Sequence, residues 1–514
     1  MNAGTATVDA AVVVVGGGTA GAIVASRIAE RGDRSVVLLE AGPDFGSPEE
    51  TPPILRYGGY SEGRVTTRDY SWKWDTVLTA EGGTPYTLHS GKVIGGGSSV
   101  NGQVWLRGLA DDFDDNWAGR GATEWTWEQV APWYAATEAD QDFPAHGDHG
   151  PVAVSRVAPG NWHPLHAGFV DMCLAKGFPL CPDFNADGAT GVGPQPFNNV
   201  DGVRLSSAFT HLSAVRGRPT VRVVGDHEVV RILFDHDRAV GVVARGPSGH
   251  EVIVRAEQEV VLAAGALGTP WLLLRSGVGP AGQLRRHGLP VVADLPGVGR
   301  SLREHPQVCV RWRARPGQNL DQTSARAPVA LRWTAPGSTL RDDMKLSIAA
   351  FEDGGGTGIQ ASVFLMQALS AGSVTLAPEG PDARPVVDLA FLDHPEDLRR
   401  MREAVRLTVD LVESSAELRP VIGERVDPDD DEMARDAALD AWLRRKIQGT
   451  FHPSSTCAIG SPDAPGTVVN QEGEVRGVHG LRVVDASVMP DSVRANLNAT
   501  VAMMAERFAS AITG

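Results

Sequence analysis

Val12-Val13-Val14-Val15-Gly16-Gly17-Gly18-Thr19-Ala20-Gly21 is an apolar run that breaks into Gly16-x-Gly18-x-x-Gly21, and an acidic residue, Glu40, follows nineteen positions after the last glycine. Val12 to Val15 suit a strand buried on both faces, and Thr19 to Arg31 places Ala22, Ile23, Ala25, Ile28 and Ala29 at helical spacing. Strand, glycine turn and helix in that order make a dinucleotide site. Gly16 permits the tight turn, Gly18 lets the backbone approach a pyrophosphate, Gly21 allows close helix packing, and the helix N-terminus offers N–H groups to the phosphates. Val36 to Leu39 read as the second strand, whose end sets Glu40 to accept from both ribose hydroxyls. This motif by itself does not separate NAD from FAD.

The 514 residues exceed a single core, so two domains are expected. Hydrophobic content of 42% and charged content of 21% describe an ordinary globular protein, and a net charge of -16 would be repelled by a phosphate backbone or an anionic membrane. Nucleic acid is therefore excluded as a partner. Cys173, Cys181, Cys309 and Cys457 lie far apart without ligand spacing, which fits four structural cysteines, a reducing compartment and no zinc. Met1 to Ala11 carries no Lys or Arg ahead of its apolar stretch, so neither a signal peptide nor a membrane span is expected, and the location is cytoplasmic.

Beyond the opening unit the sequence predicts a loop-rich stretch to Thr87 with Pro52, Pro53, Gly58 and Gly59, then a second glycine cluster at Gly91 to Gly102. Val221 to Val224, Glu228 to Phe234 and Ala239 to Arg245 read as a β-meander, followed by an apolar strand at Glu259 to Ala264. Strand-like alternation runs from about Val308 to Leu389, including Met344 to Ala350, Ser362 to Leu369 and Ser373 to Leu376. Amphipathic helices follow at Glu396 to Glu413 and Ala434 to Lys446. The acidic run Asp427-Pro428-Asp429-Asp430-Asp431-Glu432 between them reads as a solvated loop, not a metal site. Leu481 to Val484 and Asn498 to Ala511 repeat the strand-then-helix order of the opening unit, so the two ends are expected to meet in one domain.

Three further stretches carry more. They are Gly91-Lys92-Val93-Ile94-Gly95-Gly96-Gly97-Ser98-Ser99-Val100-Asn101, the segment Gly265-Ala266-Leu267-Gly268-Thr269-Pro270 through Gly279, and Phe451-His452-Pro453 taken with Val484 to Pro490 and Asn496 to Thr500. Together with Leu295 to Leu302, His305-Pro306 and Ser370-Ala371-Gly372, they closely resemble the glucose-methanol-choline (GMC) oxidoreductases over nearly the whole chain, in particular the bacterial alcohol oxidases and dehydrogenases. The resemblance implies an α/β fold in which an FAD-binding Rossmann-like domain of the glutathione-reductase type is interleaved with an α+β substrate domain built on an antiparallel sheet. It places residues 1–155, 203–300 and 447–514 in the first domain, and 156–202 and 301–446 in the second.

The same resemblance implies FAD as cofactor, held by Gly16, Gly18, Thr19, Ala20, Gly21, Glu40, Ala41, Gly95, Gly96, Ser98, Ser99, Asn101, Gly102, Val229, Asp485, Ala486, Asn498 and Ala499, with no metal. Gly95 to Gly97 and the small Ser98 and Ser99 let a ring edge come close to backbone, with Asn101 hydrogen-bonding near it. Some family members carry a histidine bonded covalently to the flavin where this chain has Val100, so non-covalent FAD is expected. Asp485 has the alternative of a simple strand-end cap, and Val229 that of an ordinary strand residue. Asn498 is expected to cap the last helix, whose N-terminus would face the flavin.

His452 matches the family's base. A largely neutral imidazole can take the hydroxyl proton of an alcohol as a hydride passes to flavin N5, while Asn496 donates to the forming alkoxide. His305 is expected to be structural. The implied activity is oxidation of a primary alcohol, aromatic or small, to the aldehyde, with electrons passed to O2 or to a quinone or protein carrier. Thr450, two residues before the base, is small enough to leave room for O2. Alternatives are a dehydrogenase using a quinone or carrier, a hydroxynitrile lyase-type enzyme of the family, and a non-catalytic flavoprotein.

Overall fold

The computed structural model describes residues 7–57, 67–80, 85–318, 320, 327–353 and 356–514. Expectations for Met1 to Ala6 and for the Gly58-Gly59 turn lie outside these residues. The opening motif folds as β1 (Thr7–Val15), α1 (Thr19–Arg31) and β2 (Val36–Leu39). All four residues of β2 and the last six of β1 are buried, as strands covered on both faces require. At Gly21 an added Cβ would lie 1.9 Å from the carbonyl oxygen of Gly16, so only glycine lets α1 pack this close to the turn.

Five further strands complete a seven-stranded sheet: β3 (Val221–Val224), β4 (Glu228–Asp235), β5 (Arg238–Arg245), β6 (Glu251–Leu262) and β7 (Leu481–Val483). Their order is β3-β2-β1-β6-β5-β4, and β7 also pairs with β6. The twelve residues of β6 are long enough to serve two partners along the edge away from β1: the first half pairs antiparallel with β5 and the end of the second half parallel with β7. The expected meander is thus corrected. It consists of β4, β5 and β6, whereas Val221–Val224 lies at the opposite edge, parallel to β2. The backbone N–H groups of Asp226 and His227 donate to Gly42 and Glu40, which anchors that connection to the end of β2 in place of a hairpin turn.

Helix α2 (Gly265–Arg275) follows β6, and α3 (Leu497–Thr513) packs along α1. Arg27 of α1 makes two parallel bonds to Glu506 of α3, 2.7 and 2.8 Å long. The stretch before Thr87 is less loop-like than expected. Ser71–Val77 and Tyr86–Gly91 pair antiparallel and join Arg300–Leu302, Gly372–Thr375 and Val386–Asp388 in a five-stranded sheet. The acidic run forms a turn of helix at Asp430–Met433, capped by Asp429.

A third sheet is antiparallel throughout, in the order Ile422–Asp427, Gln307–Ala314, Gly356–Leu365, Met344–Asp353, Val329–Trp333, Gly191–Pro194. The strand expected at Ser362 to Leu369 begins at Gly356 and stops at Leu365. Alternation along these strands gives two unlike faces. Leu331, Leu346, Val363 and Val308 lie directly opposite one another in one fully buried apolar row. Helices Pro164–Ala175 and Pro395–Ser414 pack on this sheet. The next row reads Arg332, Lys345, Phe364 and Gln307 and points the other way.

Candidate active site

The two glycine clusters pack on each other. The N–H of Gly95 donates to the carbonyl of Gly17 at 2.7 Å, and that of Ile94 to Pro43 at 3.0 Å. Gly16 adopts φ +97, and a Cβ there would meet the Ala263 carbonyl oxygen at 2.4 Å. At Gly18 the nearest atoms to an added Cβ are 3.9 and 4.0 Å away, and at Gly97 and Gly102 nothing lies within 4 Å. Glycines therefore line an open cradle. Glu40 is buried at its edge and accepts from the N–H groups of Gly17 and Gly42 at 2.8 and 2.9 Å; burial outweighs these bonds and pushes its carboxyl up to about 7. Ala41 is half-buried beside it, and Val229 stands two residues beyond His227, whose N–H is bonded to the Glu40 carbonyl.

Helix α3 begins earlier than expected: Asn496, not Asn498, is the N-cap, because its backbone is extended (φ -60, ψ 134) while Leu497 is already helical. Asn498, in the first turn, accepts from the Thr19 hydroxyl at 2.9 Å, which brings the N-termini of α1 and α3 side by side, with Ala20 and Ala499 buried behind them. Neither helix has a side-chain cap on its first N–H groups. Two adjacent positive helix ends over a side-chain-free cradle fit an anionic dinucleotide.

Several expected cofactor residues have their side chains committed within the protein. Ser98 donates to the Gly95 carbonyl at 2.6 Å and accepts from the Ser207 N–H; Ser99 donates to the Ile94 carbonyl at 2.8 Å. The Asn101 Oδ1 accepts from the Gln103 N–H and from Arg204 at 3.0 and 2.5 Å. Asp485 accepts from the Gly265 N–H, the Thr269 hydroxyl and the Ser487 N–H, so it caps α2 and the turn that follows β7. Half-buried Ala486 accepts at its carbonyl from Ser455. Arg204 is fully buried and donates to the carbonyls of Leu55 and Asn101; no motif marked it in the sequence.

His452 and Asn496 meet: the Asn496 Nδ2 lies 3.1 Å from His452 Nε2. The amide is oriented by Lys345, whose Nζ donates to Asn496 Oδ1 at 3.3 Å, so Nδ2–H faces the imidazole. On the other side, His305 Nε2 lies 3.0 Å from the Val493 carbonyl, which can only accept, so Nε2 carries the proton. Burial holds His305 down to about 4, hence neutral, and its Nδ1 is an acceptor. The His452 Nδ1, 3.0 Å away, must donate to it. This leaves the lone pair of His452 at Nε2, beside the Asn496 amide. His305 thus fixes the tautomer of its neighbour.

Glu304 backs the relay. Its oxygens accept from the backbone N–H of His452 at 3.0 Å and of His305 at 2.6 Å, and burial still pushes its carboxyl up to about 7. The Thr450 hydroxyl lies 2.9 Å from His452 Nδ1 and 3.4 Å from Glu304. Glu304, His305 and His452 each offer an atom within 4.8 Å of the others, as a metal site would, but every such atom has a hydrogen-bond partner. Burial, then the neighbouring His305 and Lys345, keep His452 well below the ordinary imidazole range. Next to it Phe451 is 52% exposed with φ +67, a strained conformation for a bulky residue.

Two models of the GMC oxidoreductase family match the chain, the N-terminal one at residues 10–307 and the C-terminal one at 368–505. The chain belongs to the GMC oxidoreductase family. An oxygen-dependent choline dehydrogenase of Paraburkholderia xenovorans (strain LB400) is 34% identical over 539 residues, covering 98% of this chain and 94% of the relative. One of Cronobacter sakazakii is 32% identical, again over 98% and 94%. The crystal structure of pyridoxine 4-oxidase from Mesorbium loti superposes with a TM-score of 0.87 at 27% identity, covering 97% of this chain and 98% of that one. This GMC oxidoreductase is accordingly an FAD-dependent enzyme acting on alcohols, with an FAD-binding part and a substrate part. All four cysteines are buried thiols, and no helix among the described residues is long and apolar enough to cross a membrane.

Proposed function

We propose that this GMC oxidoreductase oxidises a primary alcohol to its aldehyde with His452 as the base and O2 as the final electron acceptor. The observation that carries the reading is the relay that fixes the His452 lone pair at Nε2, beside the Asn496 amide. Bound FAD supplies the hydride acceptor. His452 Nε2 takes the hydroxyl proton, Asn496 Nδ2–H donates to the oxygen as it becomes anionic, and the His452–His305–Val493 chain prevents the ring from flipping. The N-termini of α1 and α3 would hold the negatively charged parts of the cofactor, and Glu40 its ribose. Oxygen is the acceptor named for the choline dehydrogenase relatives.

The test is anaerobic mixing of the yellow holoenzyme with aromatic and aliphatic primary alcohols, followed by air. Loss of the flavin absorbance near ~450 nm with one class, and rapid recovery in air, is the expected result; an intact spectrum with every alcohol would sink the proposal. The reduction rate should also hold at acidic pH. His452 must be neutral to act, and its titration is shifted below 6.5 by burial, by His305 and by Lys345, so the rate falls only at pH below 6.5. An acid limb centred above that value contradicts the assignment.

Val100, half-buried at the end of the helix Gly97–Val100, has no nucleophilic atom, so FAD is held without a covalent bond. Acid denaturation should leave the yellow chromophore in the supernatant. A yellow pellet overturns this.

A further inference from the structure

Lys345 is a buried lysine whose titration burial and the facing Arg332 pull down to about 7, so its charge awaits a counter-ion. It is 7% exposed, its Nζ donates to Asn496 Oδ1, and among the described residues no carboxylate lies within ion-pair distance of it. Its surroundings add positive charge. Arg332 sits directly opposite on the neighbouring strand, 3% exposed, so two like charges face each other across a buried ladder, an unfavourable arrangement unless something compensates it. Arg332 has compensation of its own: the carbonyls of Phe184 and Ala189, and the charge of Asp342. Arg494 is paired with Asp112. Glu304 is engaged by backbone N–H groups at the opposite end of the relay.

The row that holds Lys345 reads Arg332, Lys345, Phe364 and Gln307, with no carboxylate in it. It faces the base, since Lys345 bonds Asn496 and Gln307 reaches the Gly449 carbonyl. Three of its members, Arg332, Lys345 and Phe364, lie in the stretch 308–367 that neither family model matches. The Phe364 ring is 5.6 Å from Nζ, and Phe451 exposes a second ring nearby in sequence to the base.

We propose that the alcohol oxidised by this enzyme carries a carboxylate, and that Lys345 binds that carboxylate beside the His452–Asn496 pair. The inference rests on the alcohol-oxidising reading for the reaction but on the charge of the row for the substrate class. It sets this chain apart from enzymes whose alcohol is a quaternary ammonium, because such a cation would be brought against Lys345 and Arg332. Lys345 is a specificity residue, and its orientation of Asn496 couples substrate charge to the reacting oxygen.

The deciding measurement is binding of three matched rings to the oxidised holoenzyme, read by the flavin difference spectrum: benzoate, benzamide and phenyltrimethylammonium. Benzoate should bind roughly tenfold or more tighter than benzamide, with phenyltrimethylammonium weakest. Lys345→Met should collapse that ratio towards unity with FAD still bound, and Lys345→Arg should keep most of it. Benzamide binding as well as benzoate, phenyltrimethylammonium binding best, or a benzoate preference that survives in Lys345→Met would each overturn the proposal. The wild-type ranking decides even if Lys345→Met does not fold. Bleaching by hydroxymethylbenzoate and by benzyl alcohol reads the reaction separately: benzoate selectivity without bleaching supports the anion site and removes the base assignment, whereas bleaching without selectivity removes the anion site alone.

Discussion

His452→Ala should slow anaerobic flavin reduction at saturating alcohol by about 10²–10⁴-fold, the usual worth of a positioned general base. The variant loses the Nε2 lone pair, and the Asn496 Nδ2–H loses its acceptor at 3.1 Å. The scaffold loses little. Glu304 holds the backbone N–H of residue 452, not its ring, and His305 keeps its bond to the Val493 carbonyl. FAD absorbance per protein should therefore match wild type, so that a slow rate reports chemistry and not an empty site. Stopped-flow traces at the same rate in both proteins would remove His452 as the base.

Gly96→Ala should empty the cofactor site. Gly96 has φ +50 with ψ -125, a region open in practice only to glycine, and an added Cβ would stand 2.6 Å from the Cα of Gly18. The contact is backbone against backbone, so no rotamer relieves it. Strain and overpacking of about 1–3 kcal/mol each fall on the apposition of the two glycine turns, which corresponds to roughly 10²-fold or more in FAD affinity. The ratio of flavin to protein absorbance after dialysis measures it. Full retention of FAD by the variant would show that the two turns need not touch.

The dinucleotide turn was legible because its parts are local: strand, glycines and helix follow within Thr7–Arg31, and the strand leading to Glu40 begins five residues later. Val221–Val224 was placed wrongly for the converse reason. Its own pattern is that of any short strand, and its partner β2 lies far back in the sequence. The helix cap moved by two residues because the choice between Asn496 and Asn498 depends on backbone angles that neither residue type dictates. In the site, the motifs of His452, Asn496 and His305 already suggest a base, a donor and a structural residue, but which ring nitrogen carries each proton is decided by the Val493 carbonyl, which no motif marks. Lys345 had no signal. In Met344-Lys345-Leu346-Ser347-Ile348 the lysine occupies the polar phase of an alternating strand, which on most sheets faces water. Here that face is covered.

Strand β6 has consequences for biosynthesis. Its second half is flanked by β1 on one side and by β7 on the other, and β7 is separated from it by more than two hundred residues. While the ribosome is still making the intervening chain, β6 presents an open parallel edge, and α1 lacks α3 as its cover. The bond between Thr19 and Asn498 spans 479 positions. Folding is thus dominated by a late, long-range closure, slow by its topology and exposed to aggregation until it happens. Vitamin supply and chaperone capacity would then meet at the same step, because the paired N-termini of α1 and α3 exist only once the last helix has been made.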